Sequence, residues 1–204
     1  MSKILTIDQG TTSSRSIIFD QNANIQVSAQ EEYPLLFPND GWVEIQPDDL
    51  YHSVLNTLNQ LDLSEIKYAG ITNQRETTII WDRETHKPIY NAIVWQDRRT
   101  SDYCESISSD ANKLLVKDKT GLIIDSYFSA TKIKWILDNI EGAREKASAG
   151  KLCFGTVDSF LLFKLSNGAI HKTDITNASR TMLFNINSLE WDKELLELFD
   201  VPSS

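Results

Sequence analysis

Over its first thirty residues the chain sets three short apolar-bearing segments between polar turns; beyond Pro47 it moves repeatedly between strand-like patterns and a period near 3.6. Residues 4–7, 15–20 and 25–30 read as strands, and in the third Ile25, Val27 and Ala29 alternate with Gln26, Ser28 and Gln30, as in a half-buried strand. The connection Gln21-Asn22-Ala23-Asn24 has the Asn content of a hairpin turn, so an antiparallel meander is expected. After a loop at 38–42, Pro47 stands where a first helical residue should be, and Leu50, Tyr51, Val54, Leu55 and Leu58 form one apolar stripe. Residues 68–72, 78–81 and 93–95 read as further strands, with Glu84-Thr85-His86-Lys87 as a turn. Helical patterns then dominate. They cover 129–140, with Ile133, Ile136, Leu137 and Ile140 on one face, and 156–165, with Thr156 as N-cap; a last helix starts at Asp192 and runs through Leu195, Leu196, Leu198 and Phe199. Strands, a helix, more strands and then helices predict a layered α/β domain with no internal linker.

Composition sharpens this picture in a few places. A length of 204 residues with 41% hydrophobic content can bury a sizeable core in one large or two small domains. The formal charge of −9 argues against nucleic acid or an anionic membrane as the main partner, and apolar runs such as Leu161-Leu162-Phe163 stay far below the ~20 residues of a spanning helix. Met1-Ser2-Lys3 leads directly into a strand without a signal-peptide pattern, which sets the expectation of a cytoplasmic protein. Cys104 and Cys153 lack paired spacing and read as reduced structural thiols; His52, His86 and His171 read as surface residues on a helix, in a turn and in a polar strand.

Two segments carry candidate chemistry. Asp8-Gln9-Gly10-Thr11-Thr12-Ser13-Ser14-Arg15 lies between two strands, where Gly10, the small hydroxyl residues and backbone N–H groups can surround an anion. Asp8 at the strand end can hold a hydrated Mg²⁺, and Arg15 adds positive charge. A plain polar hairpin turn is the competing reading, and a Walker loop is excluded because no Gly-Lys-Ser/Thr closes the segment. In Thr72-Asn73-Gln74-Arg75-Glu76-Thr77-Thr78, neighbouring charges follow an apolar strand, so Arg75 and Glu76 can meet one small ligand only if the chain bends there. Glu76 would accept from hydroxyls and Arg75 donate to them, a pairing suited to a small polyol; a surface ion pair is the alternative. Trp95 by itself reads as a core residue.

The opening strand with its Asp-Gln-Gly-Thr-Thr-Ser-Ser-Arg turn is similar to the first phosphate motif of the actin, hexokinase and Hsp70 superfamily. Gln74-Arg75-Glu76, the segment NAIVWQDRRT at 91–100 and Asp125-Ser126-Tyr127-Phe128 resemble, in order, three motifs of the glycerol kinases within the FGGY sugar-kinase family. The likeness continues through 131–137, 154–158 and 173–181 and so covers essentially the whole chain. It implies an α/β fold of ribonuclease H-like type, a mixed sheet with flanking helices. It also implies that residues 1–204 are most of an N-terminal, glycerol-binding domain, with the end of that domain and a C-terminal nucleotide-binding domain lying beyond Ser204.

By the same resemblance, Asp8 lies near the metal, Gly10, Thr11, Thr12, Ser13 and Arg15 serve the nucleotide phosphates, Arg75, Glu76 and Tyr127 contact glycerol hydroxyls, and Trp95 is an apolar wall. The implied reaction is Mg²⁺-assisted transfer of the ATP γ-phosphoryl group to a terminal glycerol hydroxyl, giving sn-glycerol 3-phosphate, with the general-base Asp in a Gly-Asp-Gln segment past Ser204. The implied partners are glycerol and ATP, with homo-oligomerisation of the full-length enzyme left open. A non-catalytic polyol- or phosphate-binding module is the reading from another class. Asp158 and Asp174 are expected in helix-start and turn roles rather than as catalytic carboxylates.

Overall fold

In the computed structural model, which describes residues 3–203, the chain divides into two units that interleave along the sequence. The first comprises Met1–Leu35 and Ile45–Gln74, the second Leu36–Glu44 and Arg75–Ser204.

The first unit opens with the expected meander, β1 (Lys3–Gln9), β2 (Ser13–Phe19) and β3 (Ile25–Glu32), all antiparallel, with Asp8 opposite Arg15 and Ile7 opposite Ser16. The two-residue strand β4 (Glu44–Ile45) lies where the chain passes from the second unit back into the first. Helix α1 (Pro47–Asn59) follows, and β5 (Ile66–Asn73) then adds parallel to β1, giving a mixed sheet of order β3-β2-β1-β5. Asp20, expected as the last strand residue, instead organises the hairpin loop: its carboxylate accepts from the N–H groups of Asn22 and Asn24 and from the side chains of Asn24 and Gln26.

Period two is obeyed on β1 and β2, where Leu5, Ile7, Gln9, Ser14, Ser16 and Ile18 are buried together. Against them α1 sets Ser53 and Thr57 as well as Leu50 and Val54, so the buried helix face is wider and more polar than its apolar stripe. Ser53 pairs with Ser14 at 2.7 Å and Thr57 with Ser16 at 2.7 Å; both helix hydroxyls also donate one turn back, to Leu50 and Val54. These hydroxyls are buried without loss because each is satisfied. The alternation expected of β3 fails over half its length: Ala29 is buried, but Ile25 and Val27 are 61% and 43% exposed. β3 is an edge strand, and α1 reaches Ser16 through Thr57 and ends at Asn59.

The second unit contains β6 (Ile79–Asp82), β7 (Ala92–Ile93), α2 (Ser101–Ile107), α3 (Asp110–Thr120), α4 (Ser129–Asn139), α5 (Ala143–Ser148), β8 (Leu152–Gly155), α6 (Val157–Leu165), α7 (Ile175–Ala178), β9 (Phe184–Asn185), β10 (Glu190–Trp191) and α8 (Lys193–Leu198). β6 and β8 pair antiparallel, and Ile80, Ile93, Val116, Ile133, Ile136, Met182, Leu195 and Phe199 share one core. Trp81 is wholly buried, edge-on to Phe160 at 5.4 Å. Gly155 is required beside it, since a Cβ there would stand 2.9 Å from the Trp81 ring and 2.5 Å from the Ser159 side chain.

Three local expectations change. Trp95 lies in a turn because β7 ends at Ile93. Thr156 is the residue before α6, but its hydroxyl donates to Asp158 at 2.5 Å instead of capping the helix. His171 is outside any strand, though exposed as expected; its Nε2 meets the Phe154 carbonyl at 2.8 Å, and partial desolvation of the ring lowers its pKa. Asp174 does cap α7, accepting from the Asn177 N–H at 2.9 Å. No helix among the described residues is long and apolar enough to cross a membrane.

Candidate functional site

In the first unit the phosphate-turn candidates sit at the β1–β2 connection. Asp8 and Arg15 are cross-strand partners on the sheet face away from α1, where Arg15 holds the Gln30 side chain at 2.9 and 3.1 Å and Gln30 reaches Ser13 at 3.3 Å. Asp8 is half-buried, Thr12 exposed, and Thr11 and Ser13 lie between. Gly10 is used inside the turn: its N–H donates to the Ser13 carbonyl at 2.9 Å. Its own carbonyl accepts from Gln9 Nε2 at 2.7 Å, from Gln74 Nε2 at 3.1 Å and from the Tyr33 hydroxyl. Gln9 also donates to Tyr33, and the Tyr33 N–H donates to the Thr12 carbonyl at 3.1 Å, so a buried knot of three side chains fixes the backbone path from Gln9 to Ser13. Burial pushes the Tyr33 phenol well above its ordinary pKa, so it stays a neutral donor. Sequence reasoning passed over Tyr33 and Gln9 because an aromatic and an amide near a turn have no distinctive spacing.

In the second unit the chain bends at Arg75 and Glu76 as the strand-end charges required. The bend is a three-residue turn: the Thr77 N–H donates to the Arg75 carbonyl at 2.8 Å, and Glu76 takes φ +64. This left-handed backbone is uncommon for a side-chain-bearing residue and clusters at functional sites. Arg75 is exposed, whereas Glu76 is buried and forms an ion pair with Arg180 at 2.6 Å. The Arg180 guanidinium lies over the rings of Phe128, at 4.9 Å, and Tyr127, at 5.8 Å, and Trp95 meets Tyr127 at 5.5 Å. Glu76, Tyr127 and Trp95 are therefore joined in one corner, with Arg180 and Phe128 added. Arg180 stood within a motif already singled out, but nothing in its spacing marks a partner 104 positions away.

The loop carrying Trp95 is anchored by Asp97. Its carboxylate receives Val43 N–H at 2.6 Å, Arg99 N–H at 2.9 Å, Arg99 Nε at 2.9 Å and Arg99 Nη2 at 2.8 Å. Arg99 also pairs with Glu44 at 2.7 Å and is stacked 3.8 Å from the Trp42 ring and 4.5 Å from that of Trp135. Asp125 accepts the Tyr127 N–H at 2.8 Å and so sets the backbone that presents Tyr127.

The model of the FGGY family of carbohydrate kinases, N-terminal domain, matches residues 3–204. The chain belongs to the FGGY family of carbohydrate kinases. It is 58% identical over 204 residues to a protein named glycerol kinase from Marinomonas sp. (strain MWYL1), a match that takes in 97% of this chain and 41% of that protein. It superposes on the crystal structure of Plasmodium falciparum glycerol kinase with ADP at a TM-score of 0.91 and 37% identity, covering 98% of this chain and 41% of the other. Ligand-bound xylulose kinase from Lactobacillus acidophilus shares the fold at a TM-score of 0.87 and 21% identity. The actin- and hexokinase-like α/β fold expected from the sequence is the fold observed. The chain spans about 41% of the length of the curated FGGY relatives it matches.

Proposed function

We propose that the chain is the N-terminal portion of an ATP-dependent glycerol kinase acting in the cytoplasm, with residues 1–204 forming most of the glycerol-binding domain. One observation carries the reading: the bent Arg75-Glu76 corner, walled by Trp95 and Tyr127, in an FGGY chain 58% identical to a protein named glycerol kinase. Glu76, with one carboxylate oxygen on Arg180, offers the other to a glycerol hydroxyl; Arg75 donates from the exposed side, and the Trp95 and Tyr127 rings cover the carbon skeleton. Holding the substrate so converts a bimolecular encounter into an oriented one, a large share of the help that phosphoryl transfer needs.

The Plasmodium glycerol kinase was crystallised with ADP, and a nucleotide is the ligand proposed for the β1–β2 turn of this chain, where Thr11, Thr12, Ser13 and Arg15 would meet the phosphates and Gly10 supplies shape. The donor set also suits Mg²⁺. Asp8 is half-buried at the strand end, a carboxylate that would hold a hydrated Mg²⁺ beside the phosphates. When bound, the ion would neutralise phosphate charge.

The test is a substrate panel on the complete enzyme with Mg-ATP. Glycerol is expected to exceed xylulose and gluconate in kcat/KM by about 10²-fold or more, since a polar corner that hydrogen-bonds its substrate rejects misfits strongly. Comparable use of xylulose would overturn the assignment. For the phosphate turn, Asp8→Ala is expected to lower kcat and raise the Mg²⁺ concentration needed for half-maximal rate while leaving the glycerol KM within about twofold. Wild-type turnover at limiting Mg²⁺ would remove Asp8 from the metal.

A further inference from the structure

Helix α4 was expected to bury an apolar face, yet one of its fully buried residues is a lysine. Lys132 is 0% exposed, at a position where the amphipathic pattern predicts no charge. A lysine is rarely buried unless its ammonium has specific work, because three donors must be satisfied away from water. Its Nζ donates to the Tyr127 carbonyl at 2.7 Å and to the Glu76 carbonyl at 3.2 Å. These are the backbones of two residues assigned to the polyol corner.

The Glu76 carbonyl is unusual in its own right. Besides Lys132 it receives the Ser129 hydroxyl at 3.3 Å and the Thr78 hydroxyl at 3.2 Å, three side-chain donors converging on one oxygen. That oxygen belongs to the residue at φ +64 in the centre of the three-residue turn. A conformation of this kind persists only where its surroundings over-determine it, and the three donors do so here. At the other end of the residue Arg180 fixes the carboxylate. Tyr127 is similarly constrained, its carbonyl by Lys132 and its N–H by Asp125.

We infer that Lys132 is a positioning residue for substrate recognition: from the first turns of α4 its ammonium ties the Glu76 turn to the Tyr127 backbone and so sets the spacing between the carboxylate and the phenol that receive the polyol. The inference rests on the reading of Glu76 and Tyr127 as glycerol contacts. Burial lowers the Lys132 pKa to about 7, against the opposing pull of the Asp97, Glu76 and Asp125 carboxylates. Either protonation state retains N–H donors, so the brace itself does not depend on charge.

The experiment compares Lys132→Met, which keeps the length and apolar stem but removes the donors, with Arg75→Ala in the complete enzyme. Steady-state kinetics and thermal melting are read together. Lys132→Met is expected to raise the glycerol KM about tenfold or more while the ATP KM stays within about twofold, because only the polyol corner loses its spacing. A merely structural lysine would lower the melting temperature and leave both KM values of the folded fraction unchanged, and that result overturns the inference. If Lys132→Met does not fold, Ser129→Ala takes one donor from the same carbonyl and is expected to raise the glycerol KM about threefold; an unchanged value overturns the inference equally. Arg75→Ala separates the two levels. A raised glycerol KM in that variant with no change in Lys132→Met removes the lysine's role alone, whereas no change in Arg75→Ala removes the substrate assignment on which it stands.

Discussion

Arg75→Ala in the complete enzyme should raise the glycerol KM well above its wild-type value, leave the ATP KM nearly unchanged and lower kcat/KM for glycerol by about 10²-fold. The magnitude follows from one charge-assisted hydrogen bond, worth about 1.5–3 kcal/mol, which converts to roughly 10- to 150-fold. Arg75 is the better probe of the corner than its neighbour. It is exposed, so its truncation should change stability by no more than about 0.5 kcal/mol, and any kinetic effect can be read as recognition. Glu76→Ala, in contrast, would leave Arg180 without its partner 2.6 Å away and remove the side chain at the centre of a strained turn, mixing stability with binding. An unchanged dependence on glycerol in Arg75→Ala would place the substrate elsewhere.

The parts of this architecture that were legible in the sequence are those written locally. The β1–β2–β3 meander follows from three short strand-like segments separated by polar turns and the start of α1 from Pro47, and the bend at Arg75 and Glu76, which the sequence posed only as a condition for shared ligand contact, is present. What escaped is held together by contacts distant in sequence. The Glu76–Arg180 pair, the Lys132 brace and the Asp97–Arg99–Glu44 cluster each involve a polar side chain whose burial is decided by partners from other elements. Polarity predicts exposure for such residues, and only the folded chain reveals the satisfied bonds that permit burial. Ser53 and Thr57 were passed over on α1 for the same reason, since their partners Ser14 and Ser16 lie 39 and 41 positions earlier. The interleaving of two units was equally hidden, because the excursion Leu36–Glu44 is short and reads from its sequence only as a local loop. Its Trp42 and Val43 belong with Arg99 and Asp97, a relation that no local pattern encodes.

The largest effect is expected from the simplest sample: residues 1–204 by themselves, purified and monodisperse, should show no glycerol-dependent ADP release with saturating Mg-ATP and glycerol. The chain spans about 41% of the length of the relatives it matches, so much of what surrounds substrate in such kinases would be missing. An incompletely enclosed site stays wet, which weakens every electrostatic contribution and removes the closure that aligns the reactants. General-base catalysis by itself is worth about 10²- to 10⁴-fold, and the carboxylates at or beside the polyol corner, Asp97, Glu76 and Asp125, are poorly placed to supply it. Asp97 is 1% exposed and already accepts four hydrogen bonds, three of them from Arg99, so it has neither access nor a vacant lone pair for a substrate proton. Glu76 is committed to Arg180 through one oxygen and assigned to a glycerol hydroxyl through the other. Asp125 is partly exposed but engaged with the Tyr127 N–H. These losses compound to a rate below ordinary detection. A coupled assay that instead finds turnover of about 1 s⁻¹ or more, within the common range for enzymes, would overturn the expectation. Asp125 would then be the candidate base within the chain, and Asp125→Asn the variant that should abolish the activity.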